Sequence, residues 1–535
     1  MRTLFKNGEI WSSRGAYTSA VLVVDGKVAA LGDLALSQSF DKEVNLEGKF
    51  LAPGFIDAHA HPLFAGRESQ GPVVNGLQSV EEIVSAVSAF VRANPEKSWI
   101  IGGAYEASII SGGDFEASWL DKVTRDIPIV LHAVDHHTVW VNSKALEVSG
   151  ITSATKDPDG GAIARYEDGT PKGTLREPSA IDLILMHAPK RSLQDDIAAI
   201  EWACGQYLAA GVTSMTDAWV EPGMPEAYIA AAKSGALSID TNLFFLAQPD
   251  SWRANLPDFI QFREEITQLG SASKLHGKTV KFICDGALSA GTAALLEPYI
   301  DDPSSKGLLI WDDDELIDAM AAVDMEGFQI HAHAIGDAAI KQALNAIEAV
   351  IRINPSRDRR PVIAHAQLIH PDDLPRFAAL GVIANIQPLW TYLDPMNAQL
   401  IEPRIGTVRN SQQYQLRSLQ ESGALISFGS DWPVTSHVPL LALAVPVHRS
   451  APGSNQPWSP EEAISLEDSI VHYTEDAAFQ NYWSKGVIRV GADADFVVIN
   501  KNPLRTEAGD VSGLRICETY VAGISQYCEG RQQHR

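Results

Sequence analysis

The sequence predicts an α/β protein built on a (β/α)8 TIM barrel, with a composite β-sandwich domain made from both chain termini. Two observations predict this fold. Eight short apolar runs alternate with helical patterns along the middle of the chain, which is the arrangement of a barrel. Both ends of the chain instead alternate apolar and polar residues between turn dipeptides, which is typical of small sheets. The 535 residues are enough for one large barrel with additions.

The first fifty residues indicate short strands separated by tight turns. Three turn dipeptides stand at the expected breaks: Asn7-Gly8, Asp25-Gly26 and Glu47-Gly48. Asn-Gly and Asp-Gly favour hairpins. Strand-like runs with turn glycines return near the C-terminus, in GVIRVGADADFVVIN and ICETYVAGISQY. We therefore expect residues 1–52 and 482–535 to form one composite domain, with two separate β appendages as the alternative.

Residues 53–481 contain the alternating pattern of the predicted barrel. The apolar runs, the first of which begins at Phe50, are FLAPGFIDAHAH, GVTSMTDA, TNLFFLAQ, KTVKFICDG, GFQIHAHAIGD, PVIAHAQ, GVIANIQP and ALISFGSDWP. Helical patterns cover 80–93, 193–210, 313–325, 337–353 and 372–380. The gap between the first two runs, from about Pro62 to Ala209, is far longer than a normal connection. We expect an insertion subdomain at about 66–190, after the first barrel strand and over the barrel mouth.

Composition excludes several classes of function. Lys plus Arg total 42 and Asp plus Glu total 67, which gives a formal net charge of −25. This charge argues against binding nucleic acid or an anionic membrane through a basic face. The four cysteines form no CxxC pair, and we find no signal peptide and no apolar run long enough for a membrane span. We expect a cytoplasmic protein with a small-molecule substrate; the oligomeric state is unmarked, and a homodimer stays open.

Residues that commonly bind metals stand where the predicted barrel strands end. His59 and His61 form an HxH pair, and residues i and i+2 of a strand point to the same side. Such pairs also occur on half-buried strands without a metal. The fourth, fifth, sixth and eighth runs add Lys281, His331 and His333, His365, and Asp431. A barrel gathers these strand ends around one mouth, so the imidazoles and the carboxylate predict a metal site. Without a barrel, the histidines would be structural.

These motifs, in this order, resemble the amidohydrolase superfamily and, within it, the YtcJ-like group that includes N-substituted formamide deformylases. The resemblance covers almost the whole chain. It rests on LAPGFIDAHAHP, VKFICDG, HAHAIGD, IAHAQL and GSDWPV, and on the closing β segment GVIRVGADADFVVIN. It implies a metal-dependent hydrolase that acts on a non-peptide C–N bond, such as that of an N-acyl or N-formyl amine.

The resemblance also implies a role for each ligand-type residue. His59 and His61 would bind the more buried metal, and Asp431 would complete that site and act as the catalytic proton carrier. His333 and His365 would bind a second metal. The expected cofactor is therefore one or two divalent ions, zinc before others, although Mn, Co and Ni accept the same ligands.

Lys281 has a special place in this scheme. The resemblance implies that it is carboxylated and that its carbamate bridges two metals, because an unmodified ammonium is a poor ligand beside divalent ions. The alternative is a plain lysine that reaches solvent or pairs with Asp285. A one-metal site would then remain, made of His59, His61, His333 and Asp431.

For several other residues, packing in the core or on the surface is the alternative to a role in the site. Between the two histidines of IHAHAIGD, we favour His333 as the ligand and expect His331 one layer deeper. The candidates for substrate contact are His137, Tyr105, Trp390 and Trp432. Core packing is the usual role of any single aromatic residue, and a surface role suits His137 equally well.

The implied reaction uses a metal-activated hydroxide that attacks the carbonyl carbon, while Asp431 takes the proton and returns it to the leaving nitrogen. The same site could hydrolyse an ester, a lactone or a cyclic amidine, the last as a deaminase does. A non-catalytic barrel scaffold is a further alternative. The presence of all six implied ligands argues against a scaffold.

Overall fold

The computed structural model describes residues 1–134, 137–158, 161–451, 454 and 456–530. The chain divides into two compact units. One contains Met1–His61 and Cys204–Arg535, and the other contains Pro62–Ala203. Among the described residues, no helix has both the length and the apolar character that crossing a membrane requires.

The strands fall into five consecutive groups along the chain. The first group is β1 (Arg2–Ser13), β2 (Ala16–Val24), β3 (Lys27–Leu31), β4 (Lys42–Asn45) and β5 (Phe50–Pro53), and the second is β6 (Phe55–Asp57). The third is β7 (Ile100–Tyr105), β8 (Ile129–Ala133), β9 (Thr138–Val141), β10 (Ala162–Arg165) and β11 (Pro171–Arg176). The fourth is β12 (Val212–Val220), β13 (Asp240–Ala247), β14 (Leu275–Ile283), β15 (Gln329–Ala334), β16 (Val362–His365), β17 (Ile383–Ile386) and β18 (Ile426–Phe428). The last is β19 (Phe496–Ile499), β20 (Ile516–Val521) and β21 (Ile524–Cys528).

Helices lie between most of these strands. Up to β12 they are α1 (Gly32–Leu36), α2 (Pro62–Ser69), α3 (Val80–Ala93), α4 (Ala117–Leu120), α5 (Ser143–Val148), α6 (Pro178–Leu185) and α7 (Leu193–Ala209). Between β12 and β18 they are α8 (Met224–Ser234), α9 (Trp252–Leu269), α10 (Asp313–Met325), α11 (Asp337–Ile353), α12 (Leu374–Leu380), α13 (Glu402–Asn410) and α14 (Leu416–Glu421). Four more precede β19: α15 (Pro439–Ala442), α16 (Val445–His448), α17 (Leu466–His472) and α18 (Glu475–Gln480).

Eight parallel strands of the described chain form the barrel, in the spatial order β6, β12, β13, β14, β15, β16, β17 and β18. Each of the eight predicted runs overlaps one of these strands. Between the last and the first strand, Ala58 N donates to Phe428 O at 3.1 Å and Asp431 N donates to His59 O at 2.8 Å. These bonds nearly close the barrel, and the predicted fold class is confirmed.

The first predicted run is divided between two sheets. Its residues up to Pro53 form β5, whereas Phe55 begins the first barrel strand, β6. Gly54 lies at the crossing, and a Cβ there would stand 2.3 Å from Thr213 Cγ2 on β12. Only glycine fits where the chain passes this closely from one sheet to the other.

Strands from both chain ends form one mixed sheet, in the order β21, β20, β19, β5, β1, β2 and β3, with β4 beside β1. The two ends meet where β5 pairs antiparallel with β19. The sheet bends on itself, because Phe5 on β1 packs edge-on against Phe496 and Tyr520 with ring centroids 5.4 and 5.0 Å apart. An apolar core shared by strands from both termini therefore lies in this region.

Asn7-Gly8 does not separate two strands, contrary to the prediction. β1 continues through this dipeptide, and Asn7 has a φ of 62° where the pairing of β1 with β2 is irregular. A Cβ on Gly8 would lie 2.5 Å from Lys49 O. The dipeptide therefore forms a bulge rather than a turn, because a bulge also needs a positive φ and a close backbone approach. Asp25-Gly26 is the predicted two-residue turn, between β2 and β3.

The unit Pro62–Ala203 has its own sheet, in the order β10, β11, β9, β8 and β7. β7 and β8 pair in parallel, and the other neighbours pair antiparallel. Two apolar clusters pack on this sheet, one of them around Trp140 and Phe115. The insertion thus has a core of its own.

Candidate metal centre

The carboxyl ends of the barrel strands carry the predicted ligand-type residues. His59 follows β6 by two residues, and Asp431 follows β18 by three. Lys281 is two residues before the end of β14, His333 is one residue before the end of β15, and His365 is the last residue of β16. Parallel barrel strands end on the same face, so all five residues belong to one end of the barrel.

Asp431 lies between the two histidines of the HxH pair. Its Oδ1 is 2.9 Å from His61 Nε2 and 3.4 Å from His59 Nε2. His61 N also donates to Trp432 O at 2.7 Å, which ties the two segments together. A Cβ on Gly429 would lie 2.5 Å from His59 N. Glycine at position 429 therefore lets the eighth strand approach closely enough to place Asp431 beside both histidines.

His365 joins this group. His59, His365 and Asp431 each offer a ligand atom, and these atoms all lie within 4.8 Å of one another. The ring of His333 packs edge-on against that of His365, with centroids 4.6 Å apart. His365 and Asp431 have φ values of 70° and 57°, a region that costs a residue other than glycine about 1–3 kcal/mol. The surrounding fold holds both side chains in place against this strain.

Burial decides the charge states of the group. It lowers the pKa of His365 to about 4 and the pKa of His59 well below its usual value. Burial favours the neutral form of Asp431, but the nearby His59 and His61 rings outweigh this effect and hold its pKa well below the usual range. His59 and His365 are thus neutral and Asp431 is ionised, and these forms bind divalent cations.

Lys281 is buried, with 1% of its surface exposed. Burial lowers the pKa of its ammonium to about 7, although Asp431 acts in the opposite direction. The carboxylate of Asp285 is instead held by backbone N–H groups of Ala294, Ile335 and Gly336. The alternative of a solvent-exposed Lys281 is therefore wrong, and Asp285 has other partners.

His331 lies one layer deeper than His333. It is fully buried on β15, and its Nε2 is 2.9 Å from Nδ1 of His59. A hydrogen bond at Nδ1 fixes the orientation of the His59 ring and leaves Nε2 directed at Asp431. His331 therefore acts on the site through His59.

The structure places two of the residues predicted for substrate contact inside the insertion unit. The Nδ1 of His137 is 2.9 Å from Glu177 Oε2, and half of the His137 side chain is exposed. Tyr105 is fully buried, with its ring 4.6 Å from that of Phe115 and 5.9 Å from that of Trp140. Tyr105 thus belongs to the apolar core of that unit.

The other two predicted contact residues belong to the barrel unit. Trp390 stacks on His365, with centroids 5.4 Å apart and planes 5° from parallel. Trp432 is largely buried and packs against His437 and Tyr207, at centroid distances of 4.3 and 5.1 Å. Trp390 is therefore in direct contact with a candidate ligand, whereas Trp432 supports the segment that follows Asp431.

Sequence reasoning missed two polar residues of this centre. Asp57 accepts hydrogen bonds from Ser430 N at 2.8 Å and from the Tyr207 hydroxyl at 3.0 Å, and so joins the first and eighth strands. Gln387 lies with its Oε1 2.8 Å from His365 Nδ1. Gln387 follows the seventh strand by one residue, so the strand-end rule that indicated the histidines could also have indicated this glutamine.

Comparison of the sequence with known protein families agrees with this geometry. A sequence model described as "Amidohydrolase family" matches residues 42–527. The chain belongs to the amidohydrolase family. The resemblance inferred from the motifs is therefore confirmed, and membership supports a hydrolase activity.

Individual amidohydrolases match over nearly the whole chain. The putative amidohydrolase YtcJ of Bacillus subtilis is 30% identical, over 98% of this chain and 99% of its own. The N-substituted formamide deformylase of Arthrobacter pascens is 26% identical, over 96% of each chain. The crystal structure of an uncharacterized metal-dependent hydrolase from Pyrococcus furiosus superposes with a TM-score of 0.75 at 24% identity, covering 94% of this chain and 100% of that one. The last match shows that this amidohydrolase shares that fold.

Proposed function

We propose that this amidohydrolase hydrolyses an amide-like C–N bond of a small molecule, such as an N-acyl or N-formyl amine. The convergence of His59, His365 and Asp431, with ligand atoms within 4.8 Å at the ends of three barrel strands, carries the proposal. The similarity to the N-substituted formamide deformylase of Arthrobacter pascens favours an N-formyl amine among the amide-like substrates.

One or two divalent ions, zinc before other metals, are proposed to bind at this centre. His59, His61 and Asp431 would hold one ion, and His333 and His365 would hold the second. The donor set fits, because the neutral imidazole of His59 and the ionised carboxylate of Asp431 are the forms that bind zinc. A bound divalent ion makes water more acidic and polarises a carbonyl oxygen.

Asp431 is proposed to move the proton. Its ionised carboxylate can accept the proton that the attacking water loses as its oxygen bonds to the carbonyl carbon. As the C–N bond breaks, Asp431 returns that proton to the nitrogen, so that the products are a carboxylic acid and an amine. The backbone N–H of Asp431 donates to His59 O at 2.8 Å, which holds this residue in place for both steps.

Lys281 is proposed to carry a carbamate, whose two oxygens would serve as ligands for both metal ions. With a pKa of about 7, a large fraction of its amine is neutral near neutral pH. The neutral nitrogen can attack carbon dioxide and lose one proton, which forms the N–C bond of an anionic carbamate. Burial thus favours the form of Lys281 that reacts.

Lys281→Met is expected to lower the metal content from about two ions per chain to one or fewer, and activity by about 10- to 100-fold, because the anionic ligand is lost. Plasma mass spectrometry measures the metal, and carbon-13 NMR with labelled bicarbonate detects the carbamate of the unchanged protein. Lys278→Met, which removes an exposed lysine from the same strand, is the control and should change neither. A Lys281→Met protein with full metal content and activity would contradict the bridge.

A substrate panel tests the proposed function. Protein purified without chelator, with its metal content measured, is given N-formyl amines, N-acyl amines, esters, lactones and cyclic amidines. The proposal expects release of amine from the N-formyl or N-acyl compounds, abolished by a chelator and restored by zinc or manganese. Preferential turnover of esters, lactones or cyclic amidines would replace the proposed substrate class. Absence of metal even after zinc or manganese is added with bicarbonate would favour a non-catalytic scaffold.

We also propose that the protein is cytoplasmic and forms a homodimer. All four cysteines are free thiols, and two of them are buried, which is compatible with the cytoplasm as the compartment. Cell fractionation tests the cytoplasmic location. Light scattering of the purified protein tests the homodimer.

A further inference from the structure

The segment after the seventh barrel strand holds the ring of His365 from two sides. Gln387 Oε1 lies 2.8 Å from His365 Nδ1. Trp390, three residues later, covers one face of the same ring at a centroid distance of 5.4 Å. His365 and Gln387 are both buried. The orientation of His365 is therefore decided by two groups in the segment that follows β17.

A chain of side-chain amides continues from Gln387 beneath the metal centre. Gln387 Nε2 donates to Asn385 Oδ1 at 3.1 Å, and Asn385 Nδ2 donates to Gln480 Oε1 at 3.3 Å. Gln480, the last residue of α18, donates from Nε2 to the carbonyl oxygen of Ala58 at 2.9 Å. Asn385, Gln387 and Gln480 have no exposed surface. The chain thus links His365 on the sixth strand to the residue that precedes His59.

The hydrogen bond to Ala58 O, at the end of this series of amides, determines which group donates in each of the other hydrogen bonds. A backbone carbonyl can only accept a hydrogen bond, so Gln480 must direct its amino group at Ala58 and its oxygen at Asn385. Asn385 must then direct its amino group at Gln480 and its oxygen at Gln387. By the same step, Gln387 presents its oxygen to His365, and only a protonated Nδ1 can donate to it.

We propose that Gln387, held in this direction by Asn385 and Gln480, is a positioning residue that keeps the proton of His365 on Nδ1. Nε2 then carries the lone pair that a metal ion requires. This inference rests on the proposed metal-dependent function, because it explains what holds the ring of His365, one of the proposed metal ligands, in its orientation. It also gives the buried end of α18 a role in the metal centre.

Zinc titration of chelator-stripped protein, with a chromophoric chelator as competitor, tests this role without an activity assay. Gln387→Met removes the acceptor and is expected to weaken zinc binding by about 10- to 100-fold. Gln387→Glu keeps an oxygen next to Nδ1 and should bind zinc much more tightly than Gln387→Met. The matched control is Gln342→Met. Gln342, on α11, is also buried, and its amide donates to Trp311 O at 3.0 Å rather than to a proposed metal ligand.

The outcomes separate this inference from the proposed function. Weak zinc binding by Gln387→Met, recovery in Gln387→Glu and unchanged binding in Gln342→Met would support the positioning role. If Gln387→Met bound zinc as the unchanged protein does, or if Gln342→Met lost as much affinity, the role would be wrong and the metal centre would stand. A lack of zinc binding by the unchanged protein would overturn both.

Discussion

Asp431→Asn is expected to lower kcat by about 10²- to 10⁴-fold. Asparagine has nearly the same shape as aspartate, but its amide accepts no proton at neutral pH and provides no negative charge for a cation. The loss should therefore appear in kcat more than in KM, since the proton moves during bond breaking and not during binding. The measurement is steady-state kinetics on the substrate that the panel identifies, with the metal content of the same sample determined in parallel.

Asp373→Asn is the matched control for this substitution. Asp373 is also largely buried, and it pairs with Arg376 at 2.8 Å at the start of α12. Its replacement should leave kcat unchanged. A fully metallated Asp431→Asn protein with the kcat of the unchanged protein would exclude Asp431 as the proton carrier. A kcat loss explained wholly by missing metal would restrict Asp431 to ligation.

Lys485→Met is expected to lower the free energy of unfolding by about 3–5 kcal/mol. Lys485 is almost fully buried between α18 and β19, where its Nζ forms ion pairs with Asp240 and Asp495 and donates to Ser214 Oγ at 3.0 Å. Methionine fills a similar volume but leaves two carboxylates without their cation, and an uncompensated buried charge is strongly unfavourable. Urea unfolding followed by circular dichroism at pH 7 measures the effect.

The loss of stability in Lys485→Met should be smaller at acidic pH than at pH 7. Burial favours the neutral form of Asp240, but Lys485 outweighs it and lowers the pKa of Asp240 below its ordinary value. The stability from this carboxylate is thus present above its unfolded pKa and is lost as the pH falls through the lower folded pKa. Without the cation, Asp240 and Asp495 should take up protons at higher pH. The deficit of Lys485→Met should therefore shrink as the pH falls from 7 toward about 4.

Lys27→Met is the control for the buried ion pairs. Lys27, the first residue of β3, forms an ion pair with Asp493, but half of the Lys27 side chain is exposed. Exposed pairs contribute about 0–1 kcal/mol, so this variant should unfold near the midpoint of the unchanged protein. Equal stability of Lys485→Met and Lys27→Met at pH 7 would show that the buried pairs do not stabilise the fold as argued.

The candidate centre was predictable as far as it depends on strand ends. His59, Lys281, His365 and Asp431 could be assigned to one end of the barrel, because each stands where an apolar run stops and parallel strands share one face. The burial of Lys281 was not predictable, because it depends on how completely neighbouring strands cover that side chain. The pairing of His331 with His59 was also hidden, since it spans strands that are not neighbours in the barrel.

Local patterns by themselves determined the order of the barrel strands along the chain and the residue types at the barrel mouth. These follow from periods of a few residues, which hydrophobicity and turn chemistry express directly. Only the tertiary structure decided that Asn7-Gly8 is a bulge, that Tyr105 is core, and that Gln480 reaches Ala58. Such contacts join residues hundreds of positions apart or depend on a neighbouring strand, and their distances arise only when the strands pack.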